Sequence, residues 1–138
     1  MGDVLRVSER MALGLHAMVL LAESEVPVSS GTIAGSLRAS RAHLSKVLER
    51  LAGAGLVESR RGARGGYRLA RPANAVFLLE IYEALEGTPR RDGCLFASPV
   101  CSGRGCFLGT QIERARENVI GALRTTTLAQ AVKRQRRP

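Results

Sequence analysis

The chain has 138 residues and a mass of 14.8 kDa, room for one compact domain with at most one added element. An apolar share of 45% excludes wholesale disorder, the absence of Trp and an aromatic share of 4% disfavour a stacking platform for single strands, and no apolar run approaches the roughly 20 residues of a membrane span. Lys and Arg number 21 against 12 Asp and Glu, a net charge of +9, and all but Lys46 and Lys133 of these cations are Arg, the side chain suited to bidentate phosphate and guanine contacts.

Ser8 caps a first predicted helix, with Val7, Met11, Leu15, Met18 and Ala22 on one stripe that Leu13, Leu20 and Leu21 widen, and Glu9 in the first turn, where a negative charge suits the helix dipole. The apolar stretch 11–22 contains Gly14 and His16 and follows Asp3 and Glu9, so it reads as a helix rather than a signal peptide, and the chain is expected to be cytoplasmic. Val26-Pro27-Val28 breaks this helix. Ser29 or Ser30 caps a short second one with Ile33, Ala34 and Leu37 inward. Ser40 caps a third helix, 41–52, whose apolar stripe is Leu44, Val47, Leu48 and Leu51 and whose end is marked by Gly53 and Gly55. Two such helices joined by a few residues form a helix-turn-helix.

Two short strands follow, 56–60 and 67–69, around Arg61-Gly62-Ala63-Arg64-Gly65-Gly66, a hairpin tip of the kind called a wing. A fourth helix is predicted over 76–86, then a Gly-, Pro- and Ser-rich loop, 88–109, that holds all three cysteines. A long amphipathic helix, 110–124, carries Ile112, Ala115, Val119 and Ala122 on one stripe. That narrow seam suits pairing with a second copy or packing on its own domain. A short helix over 127–132 and a disordered basic end close the chain. The expected fold is mainly α: a winged helix-turn-helix over 1–87, a cysteine loop over 88–109, a dimerisation helix with a short terminal helix over 110–132, and a tail over 133–138.

The charge is concentrated. Between Arg38 and Arg71 nine cations stand against two acids, Glu49 and Glu58. Such a block suggests a polyanion partner, and a solvated basic face accounts for it equally well. Placed on a winged helix, Ser40, Arg41, His43 and Lys46 lie at the start and outer face of the helix that enters the DNA major groove, and Arg60, Arg61, Arg64, Gly65, Gly66 and Tyr67 lie on the wing. Ser40 and nearby N–H groups could hold a phosphate, and Arg41 and His43 could reach base edges. A plain helix cap and an exposed helical histidine explain Ser40 and His43 as well. Cys94, Cys101 and Cys106 can converge on an iron–sulfur cluster or zinc, or serve as buried or switching thiols. Three cysteines make a disulfide framework a poor reading in a reducing compartment. No paired carboxylates, nucleophile–base set or phosphate loop stands out, so an enzyme is not expected.

The segments Val26-Pro27-Val28, Ser40-Arg41-Ala42-His43-Leu44, Leu51-Ala52-Gly53-Ala54-Gly55-Leu56-Val57 and Arg61-Gly62-Ala63-Arg64-Gly65-Gly66-Tyr67 resemble the IscR/NsrR-type family of winged-helix transcriptional regulators. The resemblance runs from about Val7 to Ala131. It implies a homodimeric regulator, a repressor, on double-stranded DNA at an imperfect palindromic operator. It also implies a cluster (2Fe-2S or 4Fe-4S) held by Cys94, Cys101 and Cys106 that senses iron–sulfur status, redox state or nitric oxide. Two departures concern the fourth ligand. Gly109 stands where members with this loop carry a His. Glu9 lies near the place where other members supply an acid across the dimer, and compensation of the helix dipole explains Glu9 equally well. Against this stand a cluster-free thiol switch of the same fold and a small metal-binding module that acts through protein or RNA.

Overall fold

The computed structural model describes residues 7–89, 100–102 and 106–136. Six helices and one hairpin follow in order: α1 Glu9–Glu23, α2 Ser30–Leu37, α3 Arg41–Gly53, β1 Val57–Arg60, β2 Gly66–Leu69, α4 Leu78–Glu86, α5 Phe107–Thr125 and α6 Leu128–Gln135, with a 3-10 turn, Ala73–Ala75, before α4. Among the described residues no helix is long and apolar enough to cross a membrane.

Each of the first three helices starts on a serine whose Oγ accepts a main-chain N–H three residues on: Met11 to Ser8 at 3.0 Å, Thr32 to Ser29 at 3.1 Å and His43 to Ser40 at 3.1 Å. A cap of this kind contributes about 1 kcal/mol and fixes where the helix begins. Arg38, at φ 52, ends α2 in the left-handed region and turns the chain into α3. The predicted stripe of α3 is the observed one, with Leu44, Val47, Leu48 and Leu51 all at 0% exposure.

The α1 stripe differs from expectation. Val7 is 65% exposed and Leu15 and Ala22 are half-buried, whereas Met11, Leu13, Gly14, Ala17, Met18 and Leu21 are buried. The reason is that α1 is central. It touches α2, α3, α4, α6 and β2, so it is covered over a wider and rotated arc than one stripe.

In the hairpin Val57 pairs with Leu69, Glu58 with Arg68, Ser59 with Tyr67 and Arg60 with Gly66. The hairpin is also tied to the α1–α2 connection. Val28 N–H donates to the Tyr67 carbonyl at 2.9 Å, and Tyr67 N–H to the Val28 carbonyl at 2.8 Å. At Gly66, φ is +148, and a Cβ would lie 2.5 Å from the Val28 carbonyl. Only glycine permits this approach.

Helix α4 begins two residues later than predicted. Val76 and Leu78 pair instead with the chain after α5: Leu78 N–H donates to the Thr126 carbonyl at 3.0 Å and Leu128 N–H to the Val76 carbonyl at 2.8 Å. Helix α5 begins earlier than predicted, because Cys106 caps it. The terminal helix runs to Gln135, with Thr127 and Gln130 forming a capping box, and Arg136 Nε reaches Glu23 Oε1 at 2.9 Å. The expected free tail from Lys133 is thus corrected as far as Arg136. Leu128 is fully buried, so α6 packs into the winged-helix core.

Gly66→Ala is expected to cost about 2 kcal/mol or more, since the bridge to Val28 must open. Gly35→Ala, with nothing within 4 Å of the added carbon, is expected to gain about 0.5–1 kcal/mol from helix propensity. Urea unfolding of both variants checks the pair; equal stabilities would refute the bridge.

Candidate nucleic-acid interface and cysteine segment

The buried stripe of α3 turns its other side outward. Ser40, Arg41 and Lys46 are exposed and His43 is half-buried. The Arg41 guanidinium lies against the start of α2, where a Cβ on Gly31 would come within 3.1 Å of Nη2. The starts of α2 and α3, with hydroxyls Ser29, Thr32 and Ser40, therefore share one arginine.

The structure divides the basic block in two. Arg68 pairs with Glu58 across the hairpin, Arg71 Nη2 pairs with Glu80 at 2.6 Å, and Arg50 Nη1 donates to the Leu85 carbonyl at 3.4 Å. These three hold the fold. The other six, Arg38, Arg41, Lys46, Arg60, Arg61 and Arg64, are exposed and make no ion pair among the described residues. Arg60, Arg61 and Arg64 stand on the wing. Gly65, Gly66 and Tyr67, which the sequence placed with them, serve the wing itself. Gly65 N–H bonds the Gly62 carbonyl at 2.9 Å, Gly66 admits Val28, and Tyr67 packs on the core.

Glu9 is 78% exposed on its side chain and lies in α1 with Oε1 3.8 Å from His43 Nδ1 of α3. Within one chain, then, the expected oxygen ligand faces the expected base-reading histidine. Sequence reasoning missed the neighbouring Glu86. Its carboxylate takes Ser8 Oγ–H, Arg10 Nε at 3.4 Å and Arg10 Nη2 at 3.1 Å. Burial by itself raises the Glu86 carboxyl, but the hydrogen bonds from Arg10 and Ser8 and the charges of Arg10 and Arg50 hold it below its ordinary value. The available signal was an acid in the last turn of a helix, a position the dipole disfavours unless cations meet it.

Of the three cysteines, Cys94 lies outside the described residues. Cys101 and Cys106 are exposed free thiols. Cys106 caps α5, its Sγ accepting Gly109 N–H at 3.2 Å. Gly109 is buried in the first turn of α5 and offers no side-chain donor. Among the described residues no group of three or more His, Cys, Asp or Glu side chains is gathered for a metal.

Along α5, Phe107 is 76% exposed and Leu108 and Val119 each 49%, with Ile112 and Ala115 half-buried and Ala122 exposed. The predicted apolar seam is present, and much of it faces outward.

The chain is similar to known proteins along nearly all its length. The profile of the family described as "Rrf2: Iron-dependent Transcriptional regulator" matches residues 7–134. The HTH-type transcriptional regulator IscR of Cereibacter sphaeroides is 33% identical over 135 residues, spanning 91% of this chain and 87% of that protein. The structure of CymR (YrzC), the global cysteine regulator of B. subtilis, superposes with a TM-score of 0.76 at 31% identity, covering 95% of this chain and 98% of that one. T. potens IscR superposes with a TM-score of 0.75 at 32% identity, covering 96% and 89%.

Proposed function

The chain belongs to the Rrf2 family of transcriptional regulators, and we infer from its six unpaired cations how it engages DNA. It is a DNA-binding regulator and not an enzyme. In this reading α3 enters the major groove, with Arg41, His43 and Lys46 toward base edges and Ser40 on a phosphate, while Arg60, Arg61 and Arg64 of the wing neutralise the flanking backbone. The observation that carries it is the sorting of charge. Arg50, Arg68 and Arg71 are spent on the fold, and the six that are not lie on the helix-turn-helix and the wing. Arg64→Ala is expected to lower the slope of log K against log[salt] by about 0.9, and Arg68→Ala to leave it nearly unchanged. Arg41→Ala is expected to cost about 1–3 kcal/mol on a selected site and relax its sequence preference. Equal slopes for Arg64→Ala and Arg68→Ala would reject this assignment.

The partly exposed seam Leu108, Ile112, Ala115, Val119 and Ala122 on α5 supports a homodimer, and a two-fold dimer matches an imperfect palindrome with half-sites about one helical turn apart. Ile112→Asp with Val119→Asp is expected to give monomers by sedimentation and to weaken duplex binding. A wild-type chain that sediments as a monomer at micromolar concentration would reject the seam.

The cysteine segment is the sensor in this reading, and the regulator acts as a repressor. Cys101 and Cys106 are exposed, soft sulfur donors, and with Cys94 of the same segment they fit an iron–sulfur cluster. Such a cluster would supply iron open to nitric oxide or oxygen, because Gly109 leaves the fourth position without a nitrogen donor. The exposure of Cys101 and Cys106 as free thiols supports a second reading, a cluster-free thiol switch, and the spectrum decides between them. Protein purified without oxygen is expected to absorb in the visible, and each of Cys94→Ala, Cys101→Ala and Cys106→Ala to lose that absorbance. A colourless wild type whose DNA affinity follows thiol oxidation would establish the switch instead.

A further inference from the structure

The turn between α2 and α3 consists of Arg38, Ala39 and Ser40. Two main-chain bonds close it. Arg38 N–H donates to the Gly35 carbonyl at 3.3 Å, and Ala39 N–H to the Ala34 carbonyl at 2.9 Å. This pair of bonds requires the first residue past the helix to take the left-handed conformation, a place usually held by glycine. Here it holds Arg38, at φ 52 and ψ 39, and among the described residues no other non-glycine residue has a positive φ. Ala34 is buried and Ala39 packs against the core, so the turn is fixed from both sides.

An L-residue in this conformation is strained, because its Cβ crowds the following carbonyl oxygen. Glycine at position 38 would make the same turn without that strain. The side chain that stands there instead is exposed and makes no ion pair among the described residues. Helix α2 carries no charged residue, and the first turn of α3 carries no acid. Arg38 therefore presents an unneutralised guanidinium two residues before the Ser40 cap and three before Arg41. In a helix-turn-helix the start of the second helix enters the major groove, whose rims are lined by phosphates. A long cationic side chain rooted just ahead of that helix is placed for the rim, not for base edges.

We propose that Arg38 contacts a DNA phosphate and that the strained turn is retained for this contact. The inference rests on the reading of α3 as the recognition helix and adds a backbone contact to it. Glycine at this position gives a chain that folds at least as well and holds DNA less tightly. The competing role for a cation here is compensation of the α2 dipole, which acts on stability and leaves DNA untouched.

The test compares wild type with Arg38→Gly, Arg38→Asn and Arg38→Lys as full chains. Each is measured for its thermal midpoint and for binding to two duplexes of equal length, one selected from a random pool by the wild-type protein and one of unrelated sequence. Arg38→Gly is expected to keep its midpoint or raise it by about 2–4 °C. Its slope of log K against log[salt] is expected to fall by about 0.9 for each chain on the duplex, and its affinity by about fivefold to tenfold per chain at about 0.1 M salt, equally on both duplexes. Arg38→Asn, which tolerates the left-handed region, is expected to show the same loss, and Arg38→Lys to keep the slope. An unchanged slope in Arg38→Gly and Arg38→Asn, with Arg64→Ala still lowering it, would overturn the contact and leave the recognition-helix reading intact. A lower midpoint for Arg38→Gly would overturn the retained strain and assign the arginine to the dipole. A loss confined to the selected duplex would overturn the phosphate contact in favour of base reading. Wild-type binding without salt dependence would overturn the reading of the basic face and this inference with it.

Discussion

The orientation of α3 depends on the burial of Leu44, Val47, Leu48 and Leu51, all at 0% exposure. Burying an aliphatic side chain of this size contributes about 1.5–3 kcal/mol, while an exposed ion pair contributes about 0–1 kcal/mol. The apolar seam therefore decides where the helix lies, and the polar contacts at its ends adjust how it is presented. Because the seam is continuous, the other side of α3 is held in water with Arg41 and Lys46 on it. The same seam sets the wing, since Leu56 and Val57 continue the core directly after α3.

Charge is sorted by what it meets. A guanidinium that finds a carboxylate or carbonyl within the chain, as at Arg68, Arg71 and Arg50, is oriented by the fold. One that finds none keeps its field for the solvent side. The basic block of the sequence is thus two populations, Arg50, Arg68 and Arg71 held within the fold and six exposed cations without an ion pair among the described residues.

Helix α5 is built differently from the rest. It is capped by a thiol, touches α4, and returns through the Val76–Leu78 and Thr126–Leu128 bridge to α6, which is core. Anchored at its far end, it carries an apolar stripe that its own domain covers only in part. Cys106 and the stripe belong to one helix.

Helix type, three serine caps, the α3 stripe and the wing were legible in the sequence because each rests on local chemistry: a hydroxyl three residues before an N–H, a 3.6-residue period, glycines at a turn. The cysteine spacing and basic block were legible for the same reason. The α1 face was misread because a helix covered from several sides has no single stripe. The late start of α4 was invisible because Val76 and Leu78 find their partners only after α5, some fifty residues on. Which arginines are held within the fold, that Glu9 faces His43, and that Glu86 meets Ser8 and Arg10 were decided by tertiary structure alone. A charge's partner is chosen by distance in space, and the order of residues along the chain does not encode it.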